Sequence, residues 1–352
     1  MNTRIETLAA LALVASLACG APLRAQAAAE KKLQVVTTLP VLADLVRNVG
    51  GDRVAVESLS DPRQDPHFIQ PRPTLMKKAH DADAFVEVGL QLELWGEKVV
   101  EGSGNPGIQA GQPGRIVASR GISTLELPAQ LSREWGDVHP NGNPHVWLDP
   151  VDVEDMAANV CEGLCALDAA HAEEYRARLA SYQARIDEAL YGRALVEQIG
   201  GPKLTRLAKQ GRLDEYLTSK GLEEKLGGWL AKARPLRGRP IVTYHKSWAY
   251  FAARFGFAVP IEIEEKPGIQ PSAKHRDAVV ELMRAQGVRA ILQEVFYERS
   301  AGDYLAEHTG AKVVVVPIDV GPEVGAADYF QMIDLILDRL LEAEATAPAA
   351  TR

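Results

Sequence analysis

Leu33-Gln34-Val35-Val36-Thr37-Thr38 is a short, largely β-branched run, and Pro40 to Gly50 follows it with apolar residues at Leu42, Leu45, Val46 and Val49. The first stretch reads as a buried strand. The second reads as a helix that stops at Gly50-Gly51. The same unit returns further along: Val36-Thr37 followed by Ala43, Leu45 and Gly50 lines up, at identical spacing, with Val242-Thr243 followed by Ala249, Phe251 and Gly256. Two copies of one strand–helix unit favour two related α/β lobes over a single large sheet.

Outward from the first copy, Arg53–Leu59 alternates as a strand, Thr74–Asp81 is helical, and Ala84–Val88 and Arg115–Ala118 are strands. The second copy opens a similar series. Strand-like runs at Pro240–Tyr244, Ala258–Glu262, Val288–Gln293 and Lys312–Pro317 are separated by helical patterns at Ser247–Phe255, Ser272–Gln286 and Ser300–Thr309, and a last helix runs from Ala327 to Ala343. Strands alternating with helices predict parallel sheets covered on both faces. Asp152–Leu167 reads as a helix. From Asp168 to Glu197 a charged helical stretch carries Tyr175, Leu179, Tyr182, Ile186 and Leu190 at spacings of three and four, with no Gly or Pro before Gly192. It reads as a rigid strut between the lobes, at about 1.5 Å per residue. Residues 198–238 read as a helical insertion whose mixed charges suit a solvated face.

The chain has 352 residues, enough for two domains each with its own core. Its net charge of −8 lacks the basic footprint of a nucleic-acid-binding protein. At the N-terminus, Arg4, the apolar run Leu8–Ala18 and Ala25-Gln26-Ala27 form a signal peptide with a small-x-small cleavage site. The run is too short to span a bilayer, which takes about 20 residues. Ser16-Leu17-Ala18-Cys19 offers the alternative of a lipid anchor on Cys19. The expected organisation is a signal peptide over 1–27, an N-terminal α/β lobe over 28–167, a linking helix over 168–197, the insertion over 198–238 and a C-terminal α/β lobe over 239–352. Cys161 and Cys165 lie four apart on one helix face. A disulfide there would need strained geometry, so they read first as small buried side chains.

Three of the eight histidines stand at strand ends or loop rims. His67 closes Asp65-Pro66-His67, His145 lies in Asn143-Pro144-His145-Val146-Trp147-Leu148-Asp149-Pro150, and His245 caps the strand ending at Tyr244. Loops at sheet ends are where function is usually mounted, and in open α/β sheets ligands bind beyond the carboxyl ends of the strands. Two lobes therefore place a site in the cleft between them. Asp319, after Val313–Ile318, and Glu294, after Ala290–Gln293, are carboxylates at comparable positions. Imidazoles with a carboxylate oxygen suit zinc, and manganese less well. A zinc hydrolase with Glu294 as general base is an alternative, but the chain has no His-Glu-x-x-His pair.

These segments resemble the metal-binding substrate-binding proteins of zinc and manganese ABC importers, a family that includes metal-binding adhesin lipoproteins. The resemblance is carried by Val35-Val36-Thr37-Thr38 with Ala43-Asp44-Leu45-Val46, by Asp65-Pro66-His67 with Pro71 and Pro73, and by Ala82-Asp83-Ala84 with Gly89-Leu90 and Trp95. The octapeptide from Asn143 to Pro150 and His245 with Ala249-Tyr250-Phe251 complete it. It implies an α/β fold of two Rossmann-like lobes joined by a long rigid backbone helix, with the metal in the inter-lobe cleft. It implies His67, His145, His245 and Asp319 as ligands, with Glu294 the rival for the fourth place. It further implies zinc, with manganese as the alternative, carried as cargo by a non-catalytic periplasmic monomer to a membrane permease. A metal-dependent adhesin is the other reading within the family. The sequence departs from the pattern in two places. Residues 120–142 hold only His139 where zinc members carry a His-rich loop, and Pro317–Pro322 is not of the Leu-Asp-Pro-Leu type.

Overall fold

A computed structural model describes residues 31–128 and 139–346. The signal peptide expected over 1–27, its cleavage site and Cys19 lie outside the described residues. The first series forms β1 (Leu33–Thr37), α1 (Pro40–Gly50), β2 (Val54–Ser58), α2 (Pro73–His80), β3 (Ala84–Glu87), α3 (Leu94–Ser103) and β4 (Arg115–Val117). Its four strands are all parallel and lie in the order β2-β1-β3-β4. The polypeptide then runs through α4 (Pro150–Leu167) and α5 (Ala172–Tyr191), and through the shorter α6 (Arg193–Ile199), α7 (Gly201–Lys209), α8 (Leu213–Lys220) and α9 (Gly228–Lys232). The second series is β5 (Val242–Thr243), α10 (Ala249–Phe255), α11 (Ala273–Gln286), β6 (Ala290–Glu294), α12 (Ser300–Thr309), β7 (Lys312–Val316) and α13 (Tyr329–Thr346).

The echo seen in the sequence extends to topology. The second sheet is parallel in the order β5-β6-β7. Single parallel bridges Pro240↔Ala258 and Thr243↔Glu262 lay the chain beside β5 where β2 lies beside β1. The strand expected at Ala258–Glu262 is thus reduced to two bridges. Among the described residues no helix is long and apolar enough to cross a membrane.

Alternation along the strands decides which helices cover which face. Val35, Ala84, Val86 and Ile116 face α1, α4 and α5, whereas Val36 and Phe85 face α2 and α3, against Trp95, Val99 and Val100. In the second sheet Leu292, Val314 and Val316 face α13, whereas Val242 and Ile291 face Val279, Met283 and Leu305. The two lobes do not keep separate cores on their inner sides. One cluster runs from Val35 and Leu42 through Tyr182 and Ile186 of α5 to Ile336 and Leu340 of α13.

Two expectations for the middle of the chain change. The long helix over 168–197 is interrupted. A 3-10 turn occupies Ala169–His171, α5 spans 20 residues, and Gly192 breaks the chain with φ 84°. Gly192 sits so close to Gly227 that a Cβ on it would lie 2.6 Å from the Gly227 Cα. Glycine is therefore required there by backbone sign and by contact. Residues 201–236 are not a solvated appendage either. Leu204, Leu217, Trp229, Leu230 and Leu236 are buried in the shared core, and their charged neighbours face outward. Cys161 and Cys165 do share a face of α4, with their sulfurs 3.9 Å apart as thiols.

Candidate metal centre

The loop after β2 carries His67 and is pinned by the Trp95 indole, which donates to the Pro66 carbonyl at 2.8 Å. The oxygen Oδ1 of Asp65 accepts both the His67 amide, at 3.0 Å, and ring Nδ1, at 2.8 Å. Asn143 treats His145 in the same way, at 3.0 and 2.9 Å. Asp65-Pro66-His67 and Asn143-Pro144-His145 are thus one local device used twice. The short polar side chain closes a turn on the second residue after it, and the proline between stiffens that turn. His245, just past β5, has Nδ1 2.8 Å from Oε2 of Glu264.

A carboxylate or amide oxygen can only accept, so each Nδ1 carries the ring proton and each Nε2 keeps its lone pair. The three rings converge, with centroids 5.1 Å (His67–His145), 5.3 Å (His67–His245) and 5.5 Å (His145–His245) apart. One ligand nitrogen from each lies within 4.8 Å of the other two, and all three residues are buried. Nε2 of His67 and of His145 is buried with no hydrogen-bond partner. Buried polar atoms are nearly always satisfied, so convergent orphans mark the place of a missing group. Burial first, and then the neighbouring imidazoles, hold His145 well below the usual histidine range, and they push His139 down to about 3. Both rings are neutral at physiological pH, the form that binds a metal.

The carboxylates stand apart. Among the described residues none joins the three histidines at that spacing. Asp319, beyond β7, uses Oδ1 to accept the amides of Val41, at 2.6 Å, and Val320, at 2.8 Å, and so ties the second lobe to the start of α1. Glu294, at the end of β6, is wholly buried, and neither of its carboxyl oxygens has a hydrogen-bond partner. Burial pushes the pKa of each up to about 8. The residues that hold the rings, Asp65, Asn143 and Glu264, were not singled out from the sequence. The pattern Asx-Pro-His was visible for two of them, whereas Glu264 meets His245 only through the fold.

The octapeptide around His145 also joins the lobes. Trp147 donates to the Ile318 carbonyl at 2.6 Å, and Arg254 grips Asp149 through two bonds of 2.7 Å. The family model described as zinc-uptake complex component A, periplasmic, matches residues 35–191 and 220–343. The chain belongs to this family. Its members are solute-binding proteins of ABC importers that bind divalent metal outside the cytoplasm and work with a membrane permease. They are not enzymes, so the hydrolase alternative falls. Among individual relatives, the iron-binding protein YfeA of Yersinia pestis is 26% identical over 317 residues, 88% of this chain and 86% of that protein. The manganese ABC transporter substrate-binding lipoprotein PsaA of Streptococcus anginosus is 29% identical over 51% of this chain and 55% of its own length. A crystal structure of ZnuA superposes with a TM-score of 0.66 at 21% identity, over 89% of this chain and 99% of the other. The two-lobed architecture is therefore shared.

Proposed function

We propose that this protein captures zinc, in preference to manganese, at His67, His145 and His245 and delivers it to the permease of a metal ABC importer. One observation carries the reading: three buried imidazoles have Nδ1 tied back and Nε2 turned toward one point. That arrangement fixes the tautomer and raises ligand basicity, as outer hydrogen bonds do at histidine metal sites. Nitrogen donors suit zinc better than manganese, which favours oxygen, and zinc also stands higher in the general order of affinity. The names of individual relatives span iron and manganese, which supports a divalent transition metal as cargo. The same reading takes residues 1–27 as a signal peptide that sends a monomer to the periplasm, with anchoring through Cys19 as the alternative.

The test is a thermal melt of the purified protein, freed of metal by chelation and then titrated with zinc. A ligand that binds only the folded state stabilises it by about 4 kcal/mol at about 1,000 times its dissociation constant. A rise of several degrees with one zinc per chain is expected for the parent, and none for His67→Ala. A parent protein whose melt ignores zinc would overturn the reading.

A further inference from the structure

Cys161 and Cys165 stand apart from the histidine cluster. They lie four apart on α4, so both sulfurs project from one face of the helix, 3.9 Å from each other. Both are free thiols. Cys161 belongs to the shared core, and Cys165 packs against the edge of that core, half-buried. One sulfur is thus sealed in, and the other can be reached from solvent. The Cys165 thiol donates to the Ala172 carbonyl at 3.6 Å, which fixes it beside the start of α5. Burial, and then the neighbouring sulfur, push the Cys161 thiol up to about 12, so it stays protonated at neutral pH and is a poor nucleophile. The positive charge of Arg176, on α5, reaches both sulfurs.

The number of donors matters as much as their type. Among the described residues only His67, His145 and His245 bring three metal-ligating side chains together, so no third His, Cys or carboxylate joins the sulfurs. A zinc ion, which takes four ligands, is poorly served by two. A monovalent cation such as copper(I) or silver(I) takes two thiolates in a line and is selected by soft sulfur. With metal–sulfur bonds of about 2.3 Å, a linear unit sets its sulfurs about 4.6 Å apart, so this pair need open by only about 0.7 Å. A small rotation of the half-buried Cys165 side chain supplies that.

We propose that Cys161 and Cys165 form a second metal site, which takes one soft monovalent cation of the copper(I) and silver(I) class. Binding replaces the two thiol protons. Two S–H bonds break, two sulfur–metal bonds form, both protons leave to solvent and no electron moves. The product carries one net negative charge, which Arg176 offsets. Cys161 lies eleven residues beyond Pro150, where α4 starts, or about 16 Å along the helix axis. His145 precedes that start, so the two centres fill independently.

The experiment titrates silver(I) nitrate, in chloride-free buffer at neutral pH, into the full chain with its thiols reduced and metal removed. Cys161→Ser, Cys165→Ser and His67→Ala are treated alike. Native mass spectrometry counts cations, competition against a small thiol gives affinity, and silver-edge X-ray absorption counts sulfurs. The parent and His67→Ala should each hold one tightly bound silver between two sulfurs, with about two protons released per cation. Either cysteine variant should lose more than about 100-fold in silver affinity, because the second thiolate then comes from another molecule, and should keep the parent's zinc affinity. If a melt of the metal-free protein shows that Cys161→Ser does not fold, Cys165→Ser, at the half-buried position, is read alone. A folded single-cysteine variant that binds silver as tightly as the parent, or one sulfur in the parent's shell, would overturn the proposal. So would zinc held at the thiols of His67→Ala as tightly as silver.

Discussion

Glu264 Oε2 lies 2.8 Å from His245 Nδ1, with both side chains almost wholly out of solvent. The same oxygen accepts the Gly268 amide at 3.2 Å, so the carboxylate is itself fixed in place. Removing such a partner frees the ring to rotate and lowers its basicity. Glu264→Ala should therefore weaken zinc binding by about 10- to 100-fold, and Glu264→Gln, which can still accept, by less. Chelator competition measures both. Equal affinity in parent and Glu264→Ala would show that packing alone orients His245.

Asp319 is expected to matter more for stability than for affinity. Its Oδ1 receives two backbone amides, one of them Val41 at the start of α1 in the other lobe. Asp319→Ala leaves those buried amides unsatisfied, a loss of about 1–3 kcal/mol. Denaturant melts of the metal-free variant should show that loss, with zinc affinity changed less than by His67→Ala. A large affinity loss with parental stability would return Asp319 to the shell of direct ligands.

The helical segment from Gly201 to Leu236 should prove indispensable. Trp229 is buried against Tyr329 and Phe330 of α13, with its indole 3.2 Å from Asp334. Trp229→Ala should cost about 3–5 kcal/mol. Replacing the whole segment with a short linker should give an insoluble or molten chain. A linker variant with a parental melt would show that the shared core closes without it.

Stability should also fall in alkali, through a buried carboxyl pair that is not part of the histidine cluster. Glu154 of α4 and Asp187 of α5 share the Thr205 hydroxyl, at 3.4 and 3.0 Å. Burial, then the charge of Asp187, pushes Glu154 up to about 9, against about 4.3 in an unfolded chain. The folded protein thus keeps a proton that the unfolded chain has released. The stability this contributes is fully present below the unfolded pKa and is lost as pH rises through about 9. Urea melts between neutral pH and pH 10 should show a decline that Glu154→Gln makes shallower. Identical slopes in the two proteins would rule Glu154 out as the source.

Much of the architecture was legible because it rests on local periodicity. The strand–helix echo at Val36 and Val242 became two parallel sheets with matching strand positions, and His67, His145 and His245 came together as their places at strand ends implied. What stayed hidden depends on contacts distant in sequence. The helices from Gly201 to Leu236 look solvated because their charges are plentiful, yet their leucines and Trp229 fill a gap between the lobes that no single segment reveals. The break in the long helix was signalled by Gly192, but its cause, the close passage of Gly227, was not.

Asn143 joins several of these elements in one residue. Its Oδ1 orients His145, its Nδ2 donates to the Lys246 carbonyl at 2.7 Å, and its own carbonyl accepts the Tyr250 hydroxyl at 2.6 Å. Lys246 follows directly on His245 and Tyr250 lies five residues after it, in the other lobe. Asn143 therefore works as a lever: a displacement that draws the Lys246–Tyr250 segment away also pulls on the residue that aims His145. The aim of one imidazole and the seat of another are thus fastened across the lobe boundary, so the spacing of His145 and His245 is a property of the joint and of neither lobe alone.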